Sequence, residues 1–170
     1  QVINITDFGH LVSDADEGED KMTKGLKRER LAITMDNMRV LAERYAEAFV
    51  EDLQHIGVKT ERITFPRASA YITEEIALVK ALEEKGYAYR ASDGGYFDTA
   101  KFSGYGKLGH RNIEGQEAGT RVESNPEKHS PADFILWKSD KKLGWNSPWG
   151  MGFPGWHIEC TAMIFALLGK

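Results

Sequence analysis

A single cysteine, Cys160, is the only thiol in the 170-residue chain. No internal disulfide can hold the chain together, a composition compatible with a reducing compartment. No apolar run approaches the roughly 20 residues that a bilayer span needs. Basic residues are not in excess: 22 lysines and arginines face 26 acidic residues, for a formal net charge of −4. A global positive field that would announce nucleic-acid binding is therefore missing, although a local patch can still suffice. No glycine-rich phosphate loop of a recognised kind occurs. What is there is the composition of a folded domain. Hydrophobic residues make up 41% and charged residues 28%, too apolar for a disordered chain, and the length allows one domain with a sizeable core.

Residues 2–5 are a short β-branched run that reads as a buried strand, with Thr6 and Asp7 where it ends. Ligands in open α/β sheets bind outside the carboxyl ends of strands, so these polar residues either serve a site or only turn the chain. Residues 13–30 run from acidic to basic and read as a surface segment or a weak helix. The run from Asp14 to Asp20 imitates a calcium loop but fails on spacing, with Gly18 fifth, Glu19 sixth and Gly25 twelfth, where a bidentate glutamate is required. Residues 34–55 give the clearest helix. Thr34 is its N-cap, Asp36 favours the first turn, and Met38, Leu41, Tyr45, Phe49 and Leu53 are expected to make one buried stripe before Gly57. Residues 58–65 read as extended up to Pro66. Residues 71–85 read as a second helix with Ile76, Val79 and Leu82 inward. A hairpin is expected from 88–91 and 95–99 around Ser92-Asp93-Gly94. Residues 102–128 read as a long loop, and 134–137 as a strand returning to the core. Trp145, Trp149, Phe153 and Trp156 then crowd together, either as a plug over a domain edge or as an aromatic-walled pocket.

The stretch 153–160, Phe-Pro-Gly-Trp-His-Ile-Glu-Cys, is the most informative. Pro154 and Gly155 precede an apolar run, 158–168, that reads as a helix. Trp156 and Cys160, four apart, share one face of it. A lone cysteine is usually a small buried hydrophobe. Near a helix N-terminus it is also a candidate metal ligand or a thiol of lowered pKa. The wording of residues 154–163, Pro-Gly-Trp-His-Ile-Glu-Cys-Thr-Ala-Met, resembles the signature of cysteinyl-tRNA synthetases. Further segments resemble the same family in the same order: Asn4-Ile5-Thr6-Asp7, Tyr96-Phe97-Asp98 followed by Tyr105-Gly106-Lys107-Leu108, Asp133 to Lys138, and Trp145 to Gly150.

The resemblance implies an α/β, Rossmann-like class I synthetase catalytic domain, with a mainly parallel sheet and an inserted hairpin and loop at approximately residues 87–132. It implies ATP-dependent activation of L-cysteine, with Mg2+, and transfer to tRNA(Cys), in the cytoplasm and away from membranes. It also implies one Zn2+ with Cys160 as a metal ligand, Trp156 lining the cysteine site, and Asn4 and Thr6 contacting the bound aminoacyl moiety; no catalytic residue is assigned. A substrate thiolate can complete a zinc tetrahedron, whereas a serine hydroxyl is a poorer ligand. His157 and Glu159, three and one residues before Cys160, cannot both aim with it at one centre and are left out of the metal set. The family's His-Ile-Gly-His and Lys-Met-Ser-Lys-Ser elements, and its other zinc ligands, are not in the sequence. Lys21-Met22-Thr23-Lys24-Gly25 imitates the second element but precedes the Trp156 helix instead of following it. The chain therefore reads as an internal piece of a longer synthetase, inactive alone and weak or empty in zinc.

Two rivals share features with this reading: the ligase that joins cysteine to an amino sugar in mycothiol synthesis, and a non-catalytic binding paralogue. For the fold, residues 2–5 and 134–137 are expected in one mainly parallel sheet, with the 34–55 helix against it and the hairpin outside it. Thr6 and Trp156 are expected to face one pocket at the carboxyl edge of that sheet, with Cys160 on its wall.

Overall fold

A computed structural model describes residues 1–8, 21–107 and 125–169. The acidic run at 14–20 and the middle of the long 102–128 segment lie outside the described residues.

Helix α1 (Lys21–Arg28) lies against helix α2 (Met35–His55). Thr34 starts α2 as expected: its hydroxyl accepts from the Asn37 backbone N–H at 3.2 Å. Only the first half of the expected stripe is covered. Met38 and Leu41 are buried with Leu26 and Phe8, but Tyr45 and Phe49 are largely exposed. The reason is reach, since α1 spans two turns and α2 nearly six. Tyr45 accepts a hydrogen bond from Arg28, the last residue of α1, and Phe49 meets Phe65 edge-on.

Helix α3 (Ile72–Glu84) follows, then β1 (Ala88–Ala91), β2 (Gly94–Phe97), β3 (Phe134–Ser139), β4 (Trp145–Ser147), β5 (Gly150–Pro154) and α4 (Trp156–Leu168). The five strands form one sheet in the order β1-β2-β3-β5-β4, and every pairing is antiparallel. The expectation of a mainly parallel sheet is overturned, and so is that of a hairpin outside it. The cause is local. Two residues join β1 to β2 and two join β4 to β5, and turns that short can return a strand only antiparallel. Gly94 lets β2 press on β3: its φ is 153°, and a Cβ there would lie 1.9 Å from the Trp137 carbonyl oxygen.

Residues 2–5 do not join this sheet. They run parallel to 64–67 through two isolated bridges, Val2 with Thr64 and Ile5 with Arg67. The hydrogen bonds Ile3 N–H to Thr64 O (3.0 Å) and Ile5 N–H to Pro66 O (2.8 Å) hold the pair.

A second apolar cluster, Val79, Leu136 and Ile158, joins α3, β3 and α4. Three of the four crowded aromatics serve the two clusters and favour the plug over the pocket. Trp145 meets Phe8 and Phe153 edge-on, while Trp149 lies over Trp137. Gly155 seats the start of α4 on β3: its N–H donates to Leu136 O at 2.8 Å, and a Cβ would meet the Ile135 carbonyl oxygen at 2.1 Å.

Candidate functional site

The 2–7 segment and helix α4, 156 residues apart at their closest polar contact, come together side by side. The Asn4 side-chain amide donates to Cys160 Sγ at 3.3 Å. Both residues line an open groove of about 260 Å3, whose remaining walls include Val2, Met163, Ile164 and Leu168. Thr6 and Trp156 are not among its lining. Two residues beyond Asn4, Thr6 falls on the same side of an extended segment, and its hydroxyl influences the Glu159 carboxyl without a formed hydrogen bond. Trp156 stands one turn before Cys160 at the start of α4, about half exposed. His157 packs edge-on against Phe134.

Beneath this junction the interior is unusually acidic. Asp7, Glu75 and Glu159, from three different elements, are all buried, the two glutamates completely. Asp7 is well held, accepting from Ser69 N–H at 2.9 Å and Ser69 Oγ at 2.5 Å. The carboxyl oxygens of Glu75 and Glu159 have no fully formed hydrogen bond. Burial first, then Asp7 and Glu74, push Glu75 up to about 8. Burial first, then Glu75, push Glu159 up to about 9, with the Thr6 hydroxyl offsetting part of the rise. Both therefore favour the neutral acid near pH 7.

Cys160 is partly buried and its thiol is raised, by burial first and then by Glu159. The reading of a lowered-pKa thiol is corrected: desolvation and a neighbouring carboxyl outweigh the start of α4. A thiol of this kind gives up its proton when a metal replaces it, not spontaneously.

The described residues do not supply a whole zinc site. The only cluster of three metal-capable side chains among them is Asp98, His129 and Asp133, which does not include Cys160. Hydrogen bonds already occupy that cluster. Asp133 accepts from Thr99 N–H and Oγ1 (2.9 and 2.8 Å), Ser130 N–H (3.0 Å) and Tyr89 OH (2.8 Å). His129 stacks on Tyr89 and meets Asp98 at 3.2 Å. This is a clasp that fastens 129–133 to the β1–β2 hairpin. Cys160 offers one donor, and a tetrahedral zinc needs more than that one.

Glu75 and Glu159 went unread in the sequence as members of the site's surroundings. A signal was present: Glu75 falls between Ile72 and Val79 at spacings of three and four, on the apolar face of α3, and Glu159 stands in the otherwise apolar α4 run.

The family model of the class I (C) tRNA synthetase catalytic domain matches residues 2–170. The chain belongs to this family. Curated relatives agree with that membership. A cysteine–tRNA ligase of Chlorobaculum tepidum is 46% identical over 172 aligned positions, with 99% of this chain and 34% of the relative covered. Cysteine–tRNA ligase 1 of Burkholderia lata is 47% identical, with 99% and 35% covered. The Thermus thermophilus cysteine–tRNA ligase is 45% identical, with 99% and 35% covered. The synthetase-family chain thus spans about a third of the length of the curated relatives it matches. No helix among the described residues is long and apolar enough to cross a membrane.

Proposed function

We propose that this chain is part of the catalytic domain of a longer cysteine–tRNA ligase, which activates L-cysteine with ATP and Mg2+ and transfers it to tRNA(Cys). The Asn4–Cys160 contact carries the reading. It brings two far-apart segments with family wording to the rim of one groove.

Cys160 would be one protein ligand of a Zn2+ whose other donors come from elsewhere in the longer ligase. When bound, that ion would take the substrate thiolate and so favour cysteine over serine. The chain's own residues have more direct tasks. The Asn4 amide donates to the Cys160 sulfur, which steadies negative charge there as the proton leaves. Trp156, half exposed one turn before Cys160, supplies an apolar wall to the cysteine site, and Asn4 and Thr6 contact the bound aminoacyl moiety. Residues 87–132 form the connective segment of the catalytic domain, fastened at its return by the Asp133 clasp. The names of the curated relatives favour tRNA over an amino sugar as acceptor.

The test uses the full-length protein. Cysteine-dependent pyrophosphate exchange, little exchange with serine, and charging of tRNA(Cys) are expected. Exchange followed by transfer to an amino sugar but not to tRNA would overturn the acceptor. Absence of cysteine-dependent exchange would overturn the reading itself.

A further inference from the structure

We propose that a strip of aromatic rings running from the 99–107 turn to the start of α4, flanked by Lys101 and Lys107, is the surface on which the unpaired 3′ end of a tRNA stacks on its way to the cysteine site. The proposal rests on the tRNA-ligase reading above, and it assigns a partner surface which that reading leaves open.

The rings are contiguous. Tyr105 stacks on Phe134 of β3, with centroids 6.1 Å apart and planes 25° apart. Phe134 meets His157 edge-on at 4.6 Å, and His157 lies 5.9 Å from Trp156. Three separate parts of the chain thus supply one track, and it ends at Trp156, the wall assigned to the cysteine site. The inner part of the track has a packing role, since Phe134 lies against the Val79, Leu136 and Ile158 cluster. The outer rings gain little from burial. Trp156 is 51% exposed, Phe102 is 49% exposed, and His157 is exposed as well. Phe102 stands at the far end, where its carbonyl accepts from Tyr105 N–H at 2.9 Å and its ring lies over Gly104.

Charge selects the kind of partner. Residues 99–107 carry Lys101 and Lys107, both exposed, and no acidic residue, in a chain whose formal net charge is −4. Unpaired bases stack on aromatic faces with little regard to sequence, while basic side chains take the phosphates between them. A paired stem offers no free base faces, so the part of a tRNA that fits is single-stranded. The track leads to the cysteine site, and that singles out the end of the tRNA that receives the amino acid. The adenine of ATP is also flat, but one base does not need several rings and two lysines.

The experiment compares wild type with Phe102→Ala, His157→Ala and the Lys101→Gln/Lys107→Gln pair in the full-length protein. Each binds tRNA(Cys), and the same tRNA trimmed of its unpaired 3′ nucleotides, over a series of salt concentrations. Thermal unfolding and cysteine-dependent pyrophosphate exchange are measured alongside. Phe102→Ala and His157→Ala weaken binding of the intact tRNA about tenfold. They leave the affinity for the trimmed tRNA unchanged, because the groups they would stack with are already gone. A merely structural role would not show that difference. The lysine pair lowers the slope of log affinity against log salt by about 1.4 for the intact tRNA. Phe102→Ala and the lysine pair keep pyrophosphate exchange within about twofold of wild type. If His157→Ala does not fold, Phe102→Ala and the lysine pair decide. Unchanged affinity of these variants for intact tRNA, or equal losses for intact and trimmed tRNA, would overturn the surface. A raised KM for ATP with unchanged tRNA affinity would overturn it too, making the rings a seat for adenine. A wild type without cysteine-dependent exchange or tRNA charging would instead refute the ligase reading, and binding of intact against trimmed tRNA would still decide the surface.

Discussion

Replacing Glu75 with leucine is expected to stabilise the chain, and to do so more strongly as pH rises. Glu75 is fully buried between Asp7 and α4 without a hydrogen-bond partner, and its carboxyl is pushed from an ordinary 4.5 up to about 8. In the unfolded chain the group ionises near its ordinary value, while in the folded chain it keeps its proton until about pH 8. The folded state thus binds more protons between those limits, and stability falls as pH rises through them. Below about pH 4.5 the penalty is absent, and above about pH 8 it is complete. Each tenfold difference in proton affinity between the two states is worth about 1.4 kcal/mol, so near pH 7 the cost is roughly 3 kcal/mol and near pH 5 under about 1 kcal/mol. Leucine removes the cost at every pH and adds apolar burial of about 1–2 kcal/mol. Urea unfolding followed by tryptophan fluorescence at about pH 5, 7 and 8 reads the difference. The advantage of Glu75→Leu should widen by about 2–3 kcal/mol from pH 5 to pH 7. A constant advantage, or a variant less stable than wild type at pH 8, would refute the reasoning.

Three further outcomes follow from other parts of the structure. Gly94→Ala should cost several kcal/mol, on the order of 3 or more, because its Cβ would meet the Trp137 carbonyl oxygen at 1.9 Å; an unchanged melting temperature would contradict the β2–β3 packing. Asp133→Ala removes the acceptor for Thr99, Ser130 and Tyr89. It should cost about 3 kcal/mol and raise amide exchange around 129–133 first; uniform loss of protection would contradict a local clasp. Trp156→Ala, at a half-exposed position, should change stability by no more than about 1 kcal/mol while raising cysteine KM in the full-length ligase without loss of zinc. An unchanged KM would remove Trp156 from the site.

The helices were legible because their signals are short-range. Thr34, the Met38–Leu41 spacing and Gly57 fixed α2 without reference to anything distant. The hairpin was legible for the same reason. Its partner was not. Nothing in the sequence of 94–97 says that β3, some 40 residues on, lies beside it, and resemblance to a fold with a parallel sheet pointed elsewhere. The burial of Tyr45 and Phe49 was over-read because a stripe reports what a helix can bury and not what is there to cover it. At the candidate site, family wording named Asn4, Thr6, Trp156 and Cys160; Asn4 and Cys160 meet at one groove, while Thr6 and Trp156 lie outside its lining. The acidic interior escaped because burial of Glu75 and Glu159 depends on how α3 and α4 meet the 2–7 segment. One glutamate on an apolar helix face, taken alone, reads as a surface residue.

The most direct test of the account is Cys160→Ser in the full-length protein, with zinc measured by metal analysis and selectivity by pyrophosphate exchange with cysteine and with serine. The hydroxyl is a poor zinc ligand at neutral pH. Loss of most of the zinc and of most of the preference for cysteine is the expected result. Full zinc occupancy with an unchanged preference for cysteine would contradict the central claim that Cys160 belongs to the substrate site.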